Sequence, residues 1–312
     1  MKILVTGGAG FIGSHVVEAM IRENHHVIVV DDLSSGKKER VPQGVPFYKA
    51  DIRDKTIEEI FAKEKPEIVC HHAAQISVRI SVDDPVMDAD INIIGGINMA
   101  KLAAANGVKQ FIFSSTGGAI YGEQDYFPAD EEHPARPICP YGAAKLSFEK
   151  YLYYFYKIHG LNYVVLRYSN VYGPRQDPYG EAGVVAIFCM KMLSNQIPII
   201  NGDGEQTRDF VYVEDVAKAN VNALKLSGGH CLNIGTGKET TVNEIFRELK
   251  KITASSIQEN HGPAMLGEQR RSVISAQKAY EVMGWQPETS LHDGLAKTVD
   301  YFNQPVSRGK EK

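Results

Sequence analysis

Short apolar runs alternate with helical patterns through the first half of the chain. The runs that read as strands are segments 3–6, 27–31, 68–71, 111–114 and 163–167. Helical patterns cover segments 13–23, 57–63, 91–105 and 145–159. Continuous apolar strands separated by helices are typical of a parallel sheet that is covered on both faces. The pattern therefore predicts an α/β protein with a doubly wound parallel sheet of the Rossmann type.

The pattern loosens after residue 169, where glycine and proline become frequent and the apolar runs become short. We interpret this part as a smaller, irregular C-terminal lobe that binds substrate, formed by segments 170–208 and 237–312. Segments 209–213 and 231–235 are again strand-like, and they predict that 209–236 returns to the main sheet. The first domain then covers residues 1–169.

Composition narrows the classes of function. The 312 residues are 43% hydrophobic and 23% charged, and the net charge of −4 gives no basic field to attract nucleic acid or anionic lipid. No apolar run approaches the roughly 20 residues of a membrane span, and no signal-peptide pattern opens the chain. We expect a cytoplasmic protein without nucleic-acid or membrane partners. Reduced thiols are expected at the widely spaced cysteines Cys70, Cys139, Cys189 and Cys231.

A glycine-rich turn, TGGAGFIG at positions 6–13, joins the first predicted strand to the first predicted helix. Its glycines allow a close approach of the backbone to a pyrophosphate, which the N–H groups at the start of the helix bind. A strand before the turn, a helix after it and an acid at the end of the second strand complete a dinucleotide-binding pattern. The predicted cofactor contacts here are Gly7, Gly10, Phe11, Ile12 and Gly13.

Asp31 is the acid that ends the second predicted strand. It is suited to accept hydrogen bonds from an adenosine ribose and to repel a 2′-phosphate, which favours NAD over NADP. Basic residues at 37, 38 and 40 leave NADP as the alternative, against which the pair Asp31 and Asp32 argues. An ordinary strand end is the alternative at 51–52. The further contacts predicted on this side are Asp32, Ser35, Gly36, Asp51 and Ile52.

A phenol and an ammonium stand four residues apart in YGAAK at 141–145, and on a helix this spacing puts both on one face. A nearby cation stabilises a phenolate and lowers the pKa of a tyrosine from about 10 toward the working pH. Such a tyrosine can take the proton of a sugar hydroxyl while a hydride leaves the same carbon. A surface pair is the alternative for this motif alone. Together with the glycine turn, Tyr141 and Lys145 indicate hydride-transfer chemistry.

A serine-rich strand end, FSSTGGAIYG at 113–122, lies between these two motifs. The carboxyl ends of parallel strands face the ligand crevice, so a hydroxyl in this segment can bridge Tyr141 and the reacting oxygen. Capping of the turn is the alternative for any one of these hydroxyls.

The chain resembles the extended short-chain dehydrogenase/reductase family and, within it, the UDP-glucose 4-epimerases. Besides the motifs above, the resemblance rests on LRYSNVYGPRQ at 166–176, QTRDFVYVEDV at 206–216, LNIGTG at 232–237 and GWQPETSLHDGL at 284–295. It covers nearly the whole chain and implies the catalytic residues Thr116, Tyr141 and Lys145. Ser115 remains a rival for the hydroxyl role, because the turn at 115–118 is one residue longer than in some relatives.

The same resemblance implies ligand contacts. Tyr141 is implied to touch both cofactor and substrate, and Lys145 to touch the cofactor. The further cofactor contacts are Ala73, Ala74, Gln75, Asn92 and Tyr168. An ion pair with Asp209 is the alternative for Arg208. The implied contacts with the diphosphate, sugar and uracil of the substrate are Thr116, Asn170, Gly183, Val184, Ile199, Asn201 and Arg208.

Three features distinguish the chain from related enzymes. The related 4,6-dehydratases carry an acidic pair directly after the threonine, where Gly117 and Gly118 stand here, so dehydration is disfavoured. Relatives usually have an arginine before the Gly-Glu pair at 267–268, and none stands there in this chain; the residues at 270 and 271 are candidate substitutes. A small residue, Ser272, replaces a bulky one near the sugar pocket, which leads to the hypothesis that UDP-GlcNAc and UDP-GalNAc are accepted.

Two further features of the sequence have both a structural and a functional interpretation. His71 and His72 are neighbours on a strand and point to opposite faces, so they do not bind one metal ion; we expect one in the core and one near the cofactor, and no metal site. The helix at 145–159 carries a run of aromatic residues whose ordinary role is in the core. In the family, this helix and the one at 91–105 often form a four-helix bundle, which implies a homodimer.

The sequence therefore predicts a NAD-dependent enzyme that inverts C4 of a UDP-sugar such as UDP-glucose or UDP-galactose. The C4 hydroxyl is oxidised, the 4-keto sugar turns about its anchored diphosphate, and the hydride returns to the other face. The alternatives are a uronate 4-epimerase, a decarboxylase or a reductase of the same family. A non-enzymatic NAD-binding regulator is a weaker alternative, because it needs neither Tyr141 nor Lys145.

Overall fold

The computed structural model describes residues 1–179, 183–265 and 269–304. A seven-stranded sheet lies at the centre of its first part. Its strands are β1 (Lys2–Thr6), β2 (His26–Asp31), β3 (Phe47–Lys49), β4 (Ile68–His71), β5 (Gln110–Thr116), β6 (Asn162–Tyr168) and β11 (Gly229–Ile234). They are ordered β11-β6-β5-β4-β1-β2-β3, and every neighbouring pair is parallel.

The order of the strands determines where a ligand can bind. Consecutive strands run outward in one direction from β1 to β3 and in the other from β4 to β6, so the order reverses between β1 and β4. In register, Ile3 of β1 pairs with Val27 on one side and with Ile68 on the other. A crevice opens at the carboxyl ends of the strands at such a reversal. The glycine turn after β1 and the residues after β4 meet there.

Helices cover both faces of this sheet. One face buries Val16 and Met20 of the first helix and Val216 of the ninth; the other buries Phe61, Met99 and Phe148. The predicted doubly wound α/β fold is confirmed. The helices are α1 (Phe11–Arg22), α2 (Thr56–Glu64), α3 (Val78–Asp83), α4 (Pro85–Ala89), α5 (Gly96–Ala105), α6 (Gly117–Ile120), α7 (Pro140–His159), α8 (Val184–Leu193), α9 (Val213–Ala223), α10 (Val242–Ile252), α11 (Gln277–Met283) and α12 (Leu291–Asn303).

The second part of the chain is built from short, paired strands and three packed helices. Helices α8, α10 and α12 bury Phe188, Phe246 and Leu295 in a core of their own. The capping box of α10, in which Thr241 and Glu244 bond each other's backbone N–H, fixes where that helix begins. The two-stranded pairs consist of β7 (Asn170–Tyr172), β8 (Ile200–Asn201), β9 (Thr207–Arg208), β10 (Phe210–Tyr212), β12 (Thr240–Thr241) and β13 (His261–Gly262).

The segment predicted to return to the main sheet does so only in its second strand. β11 pairs with β6, whereas β10 pairs with β7 outside the main sheet. The chain leaves the main sheet after β6, where the Ser169 N–H bonds the Ile234 carbonyl and the Asn170 N–H bonds the Asp209 carbonyl. This bend turns β7 away and gives β10 a parallel neighbour in the smaller lobe.

Helix boundaries also differ from the prediction. The segment predicted as one helix over 91–105 contains a turn of π-helix, Asp90–Gly95, before α5, and α3 and α4 precede it. The backbone at 95–96 packs so closely on Ile52 and Phe148 that side chains at these two glycines would clash. Helix α7 begins at Pro140, five residues earlier than predicted, because proline is well suited to a first turn. No helix of the described residues is long and apolar enough to cross a bilayer.

Candidate active site

The glycine turn is held tightly against the loop that follows β4. Gly7 has a φ of +68°, and a Cβ built there would lie 2.6 Å from the Ala73 backbone nitrogen. A Cβ on Gly13 would collide with the carbonyl oxygen of Gly7. The turn can therefore close only with glycine at both positions. Gly10 caps α1 without a side-chain bond, so the first N–H groups of the helix are available to an anion.

Asp31 lies beside this turn, as predicted for a residue that binds a ribose. Its carboxylate accepts hydrogen bonds from the Ala9 N–H at 2.9 Å and the Leu33 N–H at 2.9 Å. Burial raises its pKa, while these two bonds lower it. A carboxylate has further lone pairs beyond these two contacts, so it can also accept hydroxyls. Gly36 packs on Asp31, and a Cβ there would lie 2.6 Å from its Oδ1.

Two adjoining cavities open at the carboxyl ends of the strands. One, of about 480 Å³, extends from the glycine turn to Arg208; the other, of about 590 Å³, extends from the turn toward Asp51. Both volumes are in the range of small-molecule sites. The predicted residues that line one or both cavities are Gly7, Gly10, Phe11, Ile12, Gly13, Asp31, Asp32, Ser35, Asp51, Ile52, Ala73, Ala74, Gln75, Thr116, Tyr141, Lys145, Tyr168, Asn170, Gly183, Val184 and Arg208.

Tyr141 and Lys145 both face the first cavity from the first turns of α7. The Lys145 Nζ donates a hydrogen bond of 3.0 Å to the Ser114 carbonyl and lies 4.8 Å from the centre of the Phe113 ring. It lies 5.8 Å from the centre of the Tyr141 ring. The ammonium is thus anchored to the end of β5 and stands beside the phenol.

The pKa values around this pair differ from the prediction. Burial lowers the pKa of Lys145 to about 8, although the charges of Asp88 and Glu149 act to raise it. The pKa of Tyr141 lies above its usual value rather than below it, because burial dominates and the charges of Cys139 and Asp88 add to it. Desolvation of the phenolate therefore outweighs the nearby ammonium.

The two rival hydroxyls at the end of β5 have different surroundings. The Ser115 hydroxyl is buried and donates a 2.7 Å bond to Glu149 Oε1. Arg167 binds both oxygens of the same carboxylate, with Nε–Oε1 and Nη2–Oε2 distances of 3.1 and 2.6 Å. The Thr116 Oγ1 accepts a bond from the Ala119 N–H at 3.2 Å, and its own proton has no hydrogen-bond acceptor among the described residues. The geometry therefore favours Thr116 for contact with a ligand.

The far end of the first cavity is formed by the smaller lobe. Asn170, Gly183 and Val184 line it together with Arg208, whose Nη1 donates to the Thr207 carbonyl at 2.8 Å. The neighbouring carboxylate of Asp209 is buried and accepts bonds from the backbone N–H groups of residues 236 and 237 and from the hydroxyl of residue 236.

Several predicted contacts lie away from the cavities. Gly36 packs on Asp31, and Asn92 bonds Gln75. Both therefore lie behind residues that line the part of the cleft predicted to hold the cofactor. Ile199 is 51% exposed, Asn201 pairs with β13, and Ser272 is buried outside the lining. These three contacts were predicted from local alignment, and none of the three residues lines either cavity. The small-residue argument for acetamido sugars has no support from the position of Ser272.

The residues considered as substitutes for the missing arginine are engaged elsewhere. Arg270 binds both oxygens of Asp203, at 2.7 and 2.9 Å, and Arg271 binds Glu239 and stacks on the ring of Phe127. Neither lines a cavity. Gly267 and Glu268 lie outside the described residues.

The histidine pair divides as predicted. His71 is buried, bonds Thr6 through Nδ1 at 2.7 Å and packs among the aromatic rings of the core. His72 faces the first cavity and stacks with Tyr168. Burial lowers the pKa of His72 to about 3, so the ring is neutral.

Sequence reasoning missed part of the lining. Ser169 follows a strand end, so the rule that places strand ends at the crevice could have found it. Others depend on the bend after β6 and on side chains from distant loops, for which the sequence carries no local signal. The missed residues include Ser114, Ser169, Tyr172, Gln176 and Phe210 in the first cavity and Arg40, Arg53 and Arg175 in the second.

Comparison with known families gives the same assignment as this geometry. Residues 3–235 match the model of the NAD dependent epimerase/dehydratase family. The chain belongs to this family. The predicted resemblance, the enzyme class and the cofactor NAD are thereby confirmed at the level of the family.

Individual relatives match over almost their whole length. The putative UDP-glucose 4-epimerase of Methanocaldococcus jannaschii is 48% identical over 96% of this chain and 98% of its own. The crystal structure of the Thermotoga maritima UDP-glucose 4-epimerase with UDP-glucose is 52% identical, with a TM-score of 0.96 over 98% of this chain and 100% of that one. The Thermus thermophilus UDP-glucose 4-epimerase in complex with NAD is 44% identical, with a TM-score of 0.94 over 98% and 100%.

The residues of this chain fit the cofactor of the family. The glycine turn presents unpaired helix N–H groups to a pyrophosphate, and Asp31 presents acceptors to a ribose. A 2′-phosphate next to the Asp31 carboxylate would be repelled, which agrees with NAD.

Proposed function

We propose that the protein inverts C4 of a UDP-hexose, interconverting UDP-glucose and UDP-galactose through a 4-keto sugar. The observation that carries the proposal is that Tyr141, Lys145 and Thr116 line the same cavity as the glycine turn and Arg208. A hydride donor or acceptor and a sugar nucleotide can therefore share one space with an acid–base pair. The relatives described above, which act on UDP-glucose by name, support the same substrate.

Each catalytic group has one role. The glycine turn and Asp31 would hold NAD, which would supply the acceptor and then the donor of the C4 hydride, and whose oxidised ring would add a positive charge that favours the phenolate. Tyr141 accepts the proton of the C4 hydroxyl and returns it to the inverted C4 oxygen. Thr116 donates a hydrogen bond to the reacting oxygen, and Lys145 holds a positive charge beside the phenol.

The diphosphate and the sugar of the substrate are held with different strength. Arg208 and Asn170 hold the diphosphate, with the start of α8 at 183–184 adding backbone N–H groups. Apolar side chains such as Val171 and Val185 also line this cavity, and they offer a sugar hydroxyl no hydrogen bond. A firmly held diphosphate and a loosely held sugar let the 4-keto ring turn and present its other face.

We also propose that the protein is a homodimer. Tyr151, Tyr154 and Ile158 are 43%, 46% and 66% exposed and lie on one face of α7 at the spacing of successive turns. Ile94, in the π turn before α5, is 54% exposed. These apolar residues suit a bundle of α5 and α7 with the same helices of a second copy.

The four cysteines, which are free thiols, suit a cytoplasmic enzyme.

A coupled assay tests the function. Purified protein is incubated with UDP-galactose without added NAD and is then removed. We expect UDP-glucose in this mixture, which a UDP-glucose dehydrogenase supplied with its own NAD measures in a second step. Deuterium at C4 of the substrate should be retained in the product, because the hydride returns to the same carbon. Stoichiometric release of NADH would indicate a net oxidoreductase, and loss of carbon dioxide from a uronate would indicate a decarboxylase. Activity on UDP-GlcNAc, which stays a prediction, is measured in parallel.

A further inference from the structure

Asp88 is a buried carboxylate beside α7 that none of the roles above uses. It is 0% exposed, on the short helix α4, which packs against α7. Its Oδ1 accepts hydrogen bonds from Gln75 Nε2 at 2.8 Å and from Asn92 Nδ2 at 2.9 Å. Its Oδ2 is buried and has no hydrogen-bond partner. Burying a carboxylate whose second oxygen has no hydrogen bond costs free energy of folding, so this position calls for an explanation.

The two hydrogen bonds to Oδ1 give part of the explanation. Gln75 faces the cofactor half of the cleft, and Asn92 holds its backbone with two bonds, one to the N–H at 3.1 Å and one to the carbonyl at 2.9 Å. Asp88 fixes both side chains from behind. This task needs an acceptor but no charge, because an amide oxygen would accept the same two bonds.

The charge of Asp88 acts on α7. Its negative charge raises the pKa of Lys145 against the effect of burial, and it raises the pKa of Tyr141. Glu149, the other carboxylate that acts on Lys145, is already paired with Arg167. Asp88 has no such cation bonded to it among the described residues.

The other charged groups near α4 face outward. Arg79 and Asp83 on α3 are exposed, and Asp90 after α4 is paired with Arg53 at the surface. On α7, which packs against α4, the groups whose pKa the charge of Asp88 raises are Lys145 and Tyr141. Among the described residues of α3, α4 and the π turn, Asp88 is therefore the buried charge that acts on Tyr141 and Lys145.

We propose that Asp88 is a positioning residue of the reaction. One oxygen orients Gln75 and Asn92 behind the cofactor half of the cleft, and the charge on the other keeps Lys145 an ammonium beside Tyr141. The inference rests on the proposed function, because it assigns Asp88 an effect on the acid–base pair of that reaction.

Asp88→Asn separates the two tasks, because it keeps an acceptor and removes the charge. Without the anion, protons leave both Lys145 and Tyr141 more easily, so both limbs of the pH–rate profile should move to lower pH by about 1 unit. Asp83→Asn removes the same charge from an exposed site one helix away, and its profile should stay in the wild-type position.

The outcomes are distinguishable. An Asp88→Asn profile that is lower in height but unmoved would overturn the proposal, because a merely structural role predicts that result. Asp88→Ser, which removes the charge and leaves room for a water, should show the same shift if the asparagine variant does not fold. Failure of both variants to fold, judged by circular dichroism, would also overturn it. Inactive wild-type protein would instead contradict the proposed function.

Discussion

At the scale of single residues, burial decides the chemistry of the catalytic pair. Lys145 and Tyr141 lie in a cavity wall where burial lowers the pKa of the ammonium to about 8 and raises that of the phenol. The YGAAK spacing identified both residues but not this field, because desolvation depends on what α4, α5 and β5 place around them. The sequence thus predicts the reacting groups and leaves their proton affinities to the fold.

The hydroxyl role is decided by partners that are remote in sequence. We expect Thr116→Ala to lower kcat about 100-fold, because a donor to the reacting oxygen is lost. Ser115→Ala is the matched control: it should keep turnover near the wild-type value and lower the free energy of unfolding by about 1 kcal/mol, since one bond to Glu149 is lost. Steady-state kinetics and urea unfolding of both variants measure these effects. The reverse ranking of the two kcat values would assign the role to Ser115.

Other residues of the lining illustrate why prediction stops at motifs. Gln176 stands in a quoted motif, but its place between the two cavities follows from the bend after β6. Ser272 and Ile199 are predicted from alignment alone, and the fold places both outside the cleft. A motif fixes a residue's neighbours in sequence, and these positions depend on neighbours in space.

At the scale of elements, the glycine turn and the loop after β4 must touch. Gly7→Ala places a methyl group against the backbone of residues 72–73 and should abolish cofactor retention as well as destabilise the fold. Gly107→Ala is a matched control: Gly107 has a similar φ of +71°, but a Cβ there meets nothing within 4 Å. We expect it to cost only the backbone strain, about 1 kcal/mol, and to keep activity.

The check is the amount of nicotinamide cofactor that copurifies, read by absorbance after denaturation, together with thermal unfolding of both variants. Equal losses in the two alanine variants would mean that the left-handed backbone alone, and not the close approach to 72–73, limits the turn.

Elements that carry continuous apolar runs are predicted well, and those that depend on partners are not. Strands β1, β2, β4, β5 and β6 could be read from the chain because they are buried on both faces, whereas β3 is short and only partly buried. The π turn at Asp90–Gly95 has no such signature, since its backbone is set by packing against Ile52 and Phe148. Strand β10 reads like a main-sheet strand but pairs with β7, because local pattern does not specify a partner.

At the scale of the whole molecule, the exposed apolar face of α7 predicts self-association. Ile158→Lys puts a charge into the proposed bundle and should convert a dimer into a monomer, as measured by light scattering after gel filtration. Ile197→Lys is the control, because Ile197 is similarly exposed, at 56%, but lies in the smaller lobe. A wild-type monomer, or a dimer in both variants, would rule out this interface.

The fold around the main sheet could be predicted from the sequence because strand order in a doubly wound sheet follows from few rules. Parallel strands joined by helices, one glycine turn and one acid after the second strand determine where the cofactor lies. The arrangement of the smaller lobe could not, since its paired strands are two or three residues long and depend on the main sheet for their positions.

The central claim is that the phenol of Tyr141 transfers the proton while the hydride moves. Tyr141→Phe removes only the hydroxyl, and its kcat for UDP-galactose conversion should fall by roughly 10²- to 10⁴-fold with an unchanged circular dichroism spectrum. Tyr153→Phe, on an exposed position of the same helix, should retain wild-type kcat. A folded Tyr141→Phe protein that turns over within a few-fold of the wild type would contradict the account.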